Sequence, residues 1–169
     1  DKMLFNLNIK SLNTSLEDIK ALIPKQYISD SLLHGKGPIH ISGIVKGKLN
    51  DLSIPNLQMR GLRNTSLNMS MYAKGLPDAN KAYFNIHIKN LHTTAEDIET
   101  LAPLGSIPKD LIRIPKSISA NGYFTGGLTA MNTNLNVNTS NGQAKLIGKL
   151  TQNGVYNASI ALNDLDLGY

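Results

Sequence analysis

The sequence contains no cysteine and no tryptophan, and only 5% of its 169 residues are aromatic. Without cysteine, neither a disulfide framework nor a thiolate metal site is available. No apolar run approaches the length of about eighteen residues that a membrane-spanning helix requires. The net charge of +5 is spread without runs of one sign, and the aromatic residues do not align with Lys or Arg. This pattern favours an ordinary solvated surface over a nucleic-acid-binding one.

Signatures of catalysis are missing as well. There is no G-x-S-x-G motif, and the glycines follow the spacing of strands rather than that of a phosphate-binding loop. The acidic pairs Glu17–Asp18 and Glu96–Asp97 are explained by the dipole of a helix N-terminus. None of the four histidines belongs to a compact ligand motif with a nearby carboxylate: His34, His40, His87 and His92. We therefore expect no enzyme, no catalytic residue, no metal and no cofactor.

What the sequence has instead is an internal repeat with an offset of 79 positions. Between Leu4–Pro24 and Tyr83–Pro103, 11 of 21 positions are identical, and "ISGIVKGKL" later returns as "ANGYFTGGL". This predicts a tandem array with a first repeat at residues 1–79, a second at 80–155, and the start of a third at 156–169. Two repeats and a stub are what we expect of a segment taken from a longer array.

Alternation of apolar and polar residues dominates both repeats. Apolar side chains interleave with neutral Asn, Ser and Thr, and Asn alone occurs nineteen times. Such runs indicate strands with one apolar and one wet face. Asn- and Gly-containing turn signals separate the runs, for example at Asn50–Asp51, Asn141–Gly142 and Asn153–Gly154. The chain is therefore predicted to be mainly β.

One phrase in each repeat departs from this alternation. In "NTSLEDIKALIP" and "HTTAEDIETLAP", Thr14 with Glu17 and Thr93 with Glu96 have the spacing of a capping box. Apolar residues then follow at helical intervals until a proline. We predict one short amphipathic helix in each repeat, at residues 15–23 and 94–102, that packs beside the sheet.

A sheet with one apolar face has to hide that face. It can close into a sandwich or barrel, continue as a solenoid with a dry centre, or curl into a trough around an apolar ligand. The inward positions are mostly Leu, Ile, Met and Val, with few large aromatic side chains. These residue types, taken alone, favour an ordinary core over a ligand groove.

The repeat motifs resemble those of the TamB/AsmA-like proteins of Gram-negative bacteria, particularly the TamB homologues of Bacteroidetes. The similarity is carried by "LNTSLEDIKALIP" and "LHTTAEDIETLAP", by "PIHISGIVKGKLNDL" and "KSISANGYFTGGLTAM", and by "YNASIALNDLDLG". It implies an elongated, curled antiparallel sheet, often called a β-taco, with one short helix per repeat of about 79 residues. It also implies a periplasmic bridge that carries phospholipid between the inner and outer membranes and aids outer-membrane assembly.

The family's inner-membrane anchor and its C-terminal domain, which docks onto an outer-membrane barrel, are not in this chain. The expected ligand is the phospholipid acyl chain. The residues predicted to line its groove are Phe5, Leu7, Ile9, Leu67, Met69, Met71, Phe84, Ile86, Ile88, Leu135, Val137, Leu146, Ile160 and Leu162. The alternative is a closed β module with a structural or interaction role in a cell-envelope protein.

Overall fold

The computed structural model describes residues 4–22, 37–78, 80–101 and 113–164. These residues form nine strands and two helices in a simple order. The elements are β1 (Leu4–Ser15), α1 (Leu16–Leu22), β2 (Pro38–Lys48), β3 (Asp51–Gly61), β4 (Thr65–Lys74), β5 (Tyr83–Thr94), α2 (Ala95–Leu101), β6 (Ser117–Gly126), β7 (Met131–Thr139), β8 (Gly142–Leu150) and β9 (Tyr156–Asn163).

All nine strands belong to one antiparallel sheet, and their spatial order is their order in the sequence. The mainly β prediction is confirmed. The sheet is not closed, because β1 and β9 each pair with a neighbour on one side only. The described residues therefore do not form the closed barrel or sandwich that the alternative interpretation assumed.

The connections follow the predicted turn residues. Asn50 lies in the β2–β3 turn, Asn64 in the β3–β4 turn and Asn141 in the β7–β8 turn. Strand β3 contains Pro55, which lacks the N–H group that a central strand needs. The structure accommodates Pro55 where the pairing of β3 with β4 shifts register, between Ile54 and Leu57. A local irregularity in the ladder thus admits the proline.

The two helices occur where the sequence predicts them, but their caps differ from the prediction. In α1 the Ser15 hydroxyl accepts from the Asp18 amide (3.1 Å), while the Asp18 carboxylate accepts from the Ser15 amide (3.0 Å). The capping box is therefore Ser15 with Asp18, one residue later than Thr14 with Glu17. In α2 the cap is likewise Thr94, whose hydroxyl accepts from the Asp97 amide at 3.4 Å. The predicted final positions 23 and 102 lie outside the described residues.

The fully buried apolar positions of the described chain are few: Leu16, Ile39, Ala73, Ala82 and Ala120. Each strand packs chiefly against its neighbours in the sheet, and each helix against the strand that precedes it, α1 on β1 and α2 on β5. The helices thus extend from strand ends and do not form a second layer over the sheet. Among the described residues, no helix is long and apolar enough to cross a membrane.

Candidate functional site: an open apolar face

Cross-strand pairing joins the apolar residues of all nine strands into continuous rows on one face. Directly opposed residues of an antiparallel pair point to the same side of the sheet, so the rows can be followed from partner to partner. One row runs from β1 to β9 through Ile9, Gly43, Leu57, Met69, Ile88, Gly122, Leu135, Leu146 and Ile160.

Two further unbroken rows flank this one. The first runs through Phe5, Gly47, Leu52, Ala73, Phe84, Gly126, Met131, Leu150 and Tyr156. The second runs through Leu12, Ile41, Met59, Leu67, Leu91, Ala120, Val137, Ala144 and Leu162. We call the surface made by these rows, together with Leu7, Val45, Met71, Ile86 and Phe124 between them, the apolar face. All fourteen residues predicted to line a groove lie on it.

The apolar face is only partly covered. Its central side chains, such as Met69, Ile86 and Leu135, are half-buried by their neighbours in the sheet. Toward the edges the exposed fraction rises, to 49% at Leu7 and 63% at Ile160. Within the described ranges, the buried members of the three rows are all glycine or alanine, and every larger side chain keeps exposed surface, so no second layer seals the face: Gly43, Ala73, Ala120 and Gly126.

The size of the face sets it apart from an ordinary surface. Nine strands spaced about 4.8 Å apart span about 38 Å, and strands of nine or more residues are about 30 Å long. The largest apolar patch on a typical soluble monomer is only about 300–600 Å², and larger patches mark interaction or ligand sites. The extent of the apolar face makes it the candidate functional surface of the described residues.

The opposite face, which we call the polar face, carries the polar members of each alternation. Asn85, His87 and Lys89 of β5 lie there and are exposed, as is Tyr123 opposite His87. Asn136 donates to Asn121 across β7 and β6 at 3.1 Å. The sheet thus separates one apolar side from one hydrophilic side along its whole width.

A buried carboxylate joins α2 to the turn between β3 and β4. Asp97 is 1% exposed. Its oxygens accept from the Thr65 hydroxyl (2.7 Å), the Asn64 amide (2.9 Å) and the Arg63 amide (3.2 Å). The Thr65 hydroxyl also contacts that of Thr93 at 2.9 Å. We call this arrangement the Asp97 clasp, because it fastens α2 to the turn between β3 and β4.

The charge of the clasp is stabilised by its donors. Burial alone would raise the pKa of Asp97, but the Thr65 hydroxyl, the two backbone amides and the Arg63 guanidinium together lower the pKa below its ordinary value of 3.8. Arg63 also forms an exposed ion pair with Glu96 (2.8 Å). The carboxylate is therefore ionised in the folded protein at neutral pH, and its hydrogen bonds are charge-assisted.

The equivalent residue in the first repeat has a different environment. Asp18 is exposed, and among the described residues its carboxylate bonds to those of its own cap, Ser15 and Thr14. The sequence prediction treated both aspartates alike as first-turn acids, so it missed the clasp. The one signal that could have found it is the hydroxyl pair Thr65 and Thr93, which stand at the ends of adjacent strands.

The histidines that the structure describes do not come together in one metal site. His40 and His87 lie exposed on the polar face in different repeats, and His92 contacts the Ser119 hydroxyl at 3.0 Å. His34 lies outside the described residues. In the part of the chain that the structure describes, no three His, Asp or Glu side chains come together as metal ligands.

Comparison with known proteins adds no relative. No protein-family model, no curated protein and no solved structure matches this chain.

Proposed function

We propose that this chain is a segment of a bridge-like lipid transfer protein whose apolar face shelters phospholipid acyl chains between two membranes. One observation carries the proposal: continuous apolar rows cross nine strands, and no layer covers them within the described residues. A soluble sheet has to hide such a face. Acyl chains are a suitable cover because they are apolar, flexible and indifferent to the order of Leu, Ile and Met beneath them.

The proposed trough requires the sheet to curl around its ligand. Glycines on the apolar face support this, since glycine kinks and bulges bend sheets. Gly122 and Gly126 of β6 have φ of 144° and 132°. A Cβ at either position would collide with a backbone oxygen of the next strand, that of Asn134 or of Ala130. We infer that close backbone approach at these positions bends the sheet toward its apolar side.

The energy available is large enough for binding. Sheltering one CH₂ group from water is worth about 0.8 kcal/mol, so a chain of about sixteen carbons gains on the order of 10 kcal/mol before entropy losses. The apolar face presents no charged side chain in its three unbroken rows. A ligand can therefore slide without breaking specific hydrogen bonds, as transport requires.

The repeat organisation extends this surface. Strand order follows sequence order, so further repeats would add strands at the edge without rearranging those already present. In the proposed full-length protein the anchor lies in the inner membrane and the far end docks onto an outer-membrane barrel. The polar face is then exposed to the aqueous periplasm.

The deciding experiment is native mass spectrometry of the gently purified chain, with lipid extraction in parallel. We expect adducts of phospholipid mass. The variant Ile86→Asp/Leu146→Asp places two carboxylates in the middle of the apolar face, and we expect it to lose the adducts while remaining folded. Its matched control is His87→Asp/Lys145→Asp, which changes exposed neighbours on the polar face of the same two strands. The control should keep its lipid.

The alternative module predicts different results. If the apolar residues pack against each other in a closed core, the aspartate variant unfolds and the native chain carries no extractable lipid. That pair of results would refute the trough. Loss of lipid from both variants alike would also refute it, because binding would then follow net charge rather than the apolar face.

A further inference from the structure

We propose that the polar face carries a binding site for a phosphate-type anion, formed by the cations Lys10 and Arg60 and the imidazole of His40. The three residues come from three adjacent strands, β1, β2 and β3, and line one open cavity of about 270 Å³. The hydroxyls of Ser11 and Ser42 and the amide of Gln58 complete its polar lining. No lining residue is acidic.

The backbone explains why these side chains converge. His40 and Arg60 are direct cross-strand partners, so their side chains leave the sheet side by side. Lys10 and Ser11 occupy the irregularity of β1, where its pairing with β2 shifts register between Ile9 and Leu12. A bulge re-aims the side chains around it, and here it opens the space in front of His40.

The charges of the cavity are uncompensated within the described residues. The ion pairs found there join Arg63 to Glu96 and Lys81 to Asp78, and neither involves Lys10 or Arg60. The His40 ring places Nδ1 against the Asn13 side-chain oxygen. Because an amide oxygen only accepts, Nδ1–H is the donor to Asn13, and Nε2 is then an acceptor for a hydroxyl group of the ligand. Two permanent cations, an imidazole and neutral hydrogen-bonding groups match a tetrahedral oxyanion.

The second repeat provides an internal comparison. Ser119 corresponds to His40 by the offset of 79. The cross-strand partner of His40 is Arg60, whereas that of Ser119 is Asn138. Lys89 corresponds to Lys10. The second repeat thus keeps the lysine but lacks the arginine, and its histidine, His92, bonds to Ser119 instead. Of these two equivalent positions, only the one around His40 combines a lysine with an arginine.

The experiment titrates the chain with inorganic phosphate, followed by backbone NMR shifts and calorimetry. We expect saturable binding with shifts confined to β1, β2 and β3. Arg60→Asn, which inserts the residue that the second repeat has there, should weaken binding about tenfold. Lys89→Asn removes the same charge from the polar face outside the site and should leave the affinity within about twofold. Arg60 and Lys89 are both exposed, so neither change disturbs the fold.

A parallel arm distinguishes the two sources of such an anion. Vesicles of phosphatidylglycerol are compared with vesicles of phosphatidylcholine in a flotation assay. Arg60-dependent binding of free phosphate assigns the site to a soluble anion, and Arg60-dependent binding of phosphatidylglycerol vesicles alone assigns it to a lipid headgroup. Equal losses in Arg60→Asn and Lys89→Asn, or no binding in either arm, would overturn the proposal.

This site does not depend on the proposed trough. It lies on the other side of the sheet, so Ile86→Asp/Leu146→Asp should lose acyl-chain adducts and keep phosphate binding. The two proposals can therefore fail separately.

Discussion

Removing the Asp97 carboxylate tests the energetics of the structure most directly. In Asp97→Ala three donors lose their acceptor: the Thr65 hydroxyl and the amides of Arg63 and Asn64. Each hydrogen bond to a charged group contributes about 1.5–3 kcal/mol. Arg63 and Asn64 are exposed, so water replaces part of what their amides lose, whereas Thr65 is buried. We therefore expect a loss of about 3 kcal/mol in the free energy of unfolding, rather than the sum of three bonds.

The assay is urea unfolding, followed by circular dichroism, of the wild type, Asp97→Ala and Asp18→Ala. Asp18 is the matched control, since it occupies the same helix position but is exposed, and its partners among the described residues belong to its own cap. Its removal should cost clearly less. In hydrogen exchange, the Arg63 and Asn64 amides should lose protection in Asp97→Ala. If both variants lost equal stability, or if those amides stayed protected, the clasp would not be what holds α2 to the β3–β4 turn.

The same carboxylate predicts a pH dependence. The pKa of Asp97 in the folded protein lies below its ordinary value of 3.8. A carboxyl group whose pKa is lowered by folding stabilises the folded state fully at pH values above its unfolded pKa, which is about 3.9 for Asp. That stabilisation is lost as the pH falls through the pKa of the folded state. The stability difference between wild type and Asp97→Asn should therefore be constant near neutral pH and shrink below about pH 4. A constant difference down to pH 2 would contradict this sign.

The remaining predictions concern the sheet itself. Gly122→Ala should lower the free energy of unfolding by about 3 kcal/mol, because φ is 144° and the new Cβ meets the Asn134 carbonyl. Gly154→Ala, at a φ of 78° but with open space around the Cβ, should lower it by about 1 kcal/mol. Equal midpoints of the two variants in thermal unfolding would refute the close approach at Gly122. The free edge of β9 has neither charge nor proline, so we expect concentration-dependent pairing of two copies along it in sedimentation velocity. Ser159→Lys, on the edge strand β9, should restore the monomer. The control Asn136→Lys, on the internal strand β7, should not. A strictly monomeric wild type at high concentration would contradict the prediction.

Local patterns were sufficient for most of the secondary structure. Alternation of apolar and polar residues depends only on the two-residue period of a strand, so it identified the apolar face from Phe5 to Leu162 before any pairing was known. The two helices were likewise predicted from local signals, although their caps are Ser15 and Thr94 rather than the threonines one residue earlier. Pro55 fits the central strand β3 because the ladder is irregular at that point, and this irregularity is a property of the pairing with β4 rather than of a local pattern.

Within each regular stretch of strand the amino-acid sequence was enough to assign side chains to one face, because side-chain direction alternates from residue to residue. Across a register shift, as between Ile9 and Leu12, the pairing was needed as well. Only the tertiary structure decided what each face meets. The β3–β4 turn leaves the Arg63 and Asn64 amides for Asp97, whereas in the β7–β8 turn the Ser140 and Asn141 amides bond to Ser117 and Thr139. Likewise, the register shift in β1 opens the cavity beside His40, and the unpaired edges of β1 and β9 leave the sheet open. These features depend on contacts between residues far apart in the chain, which no local pattern encodes.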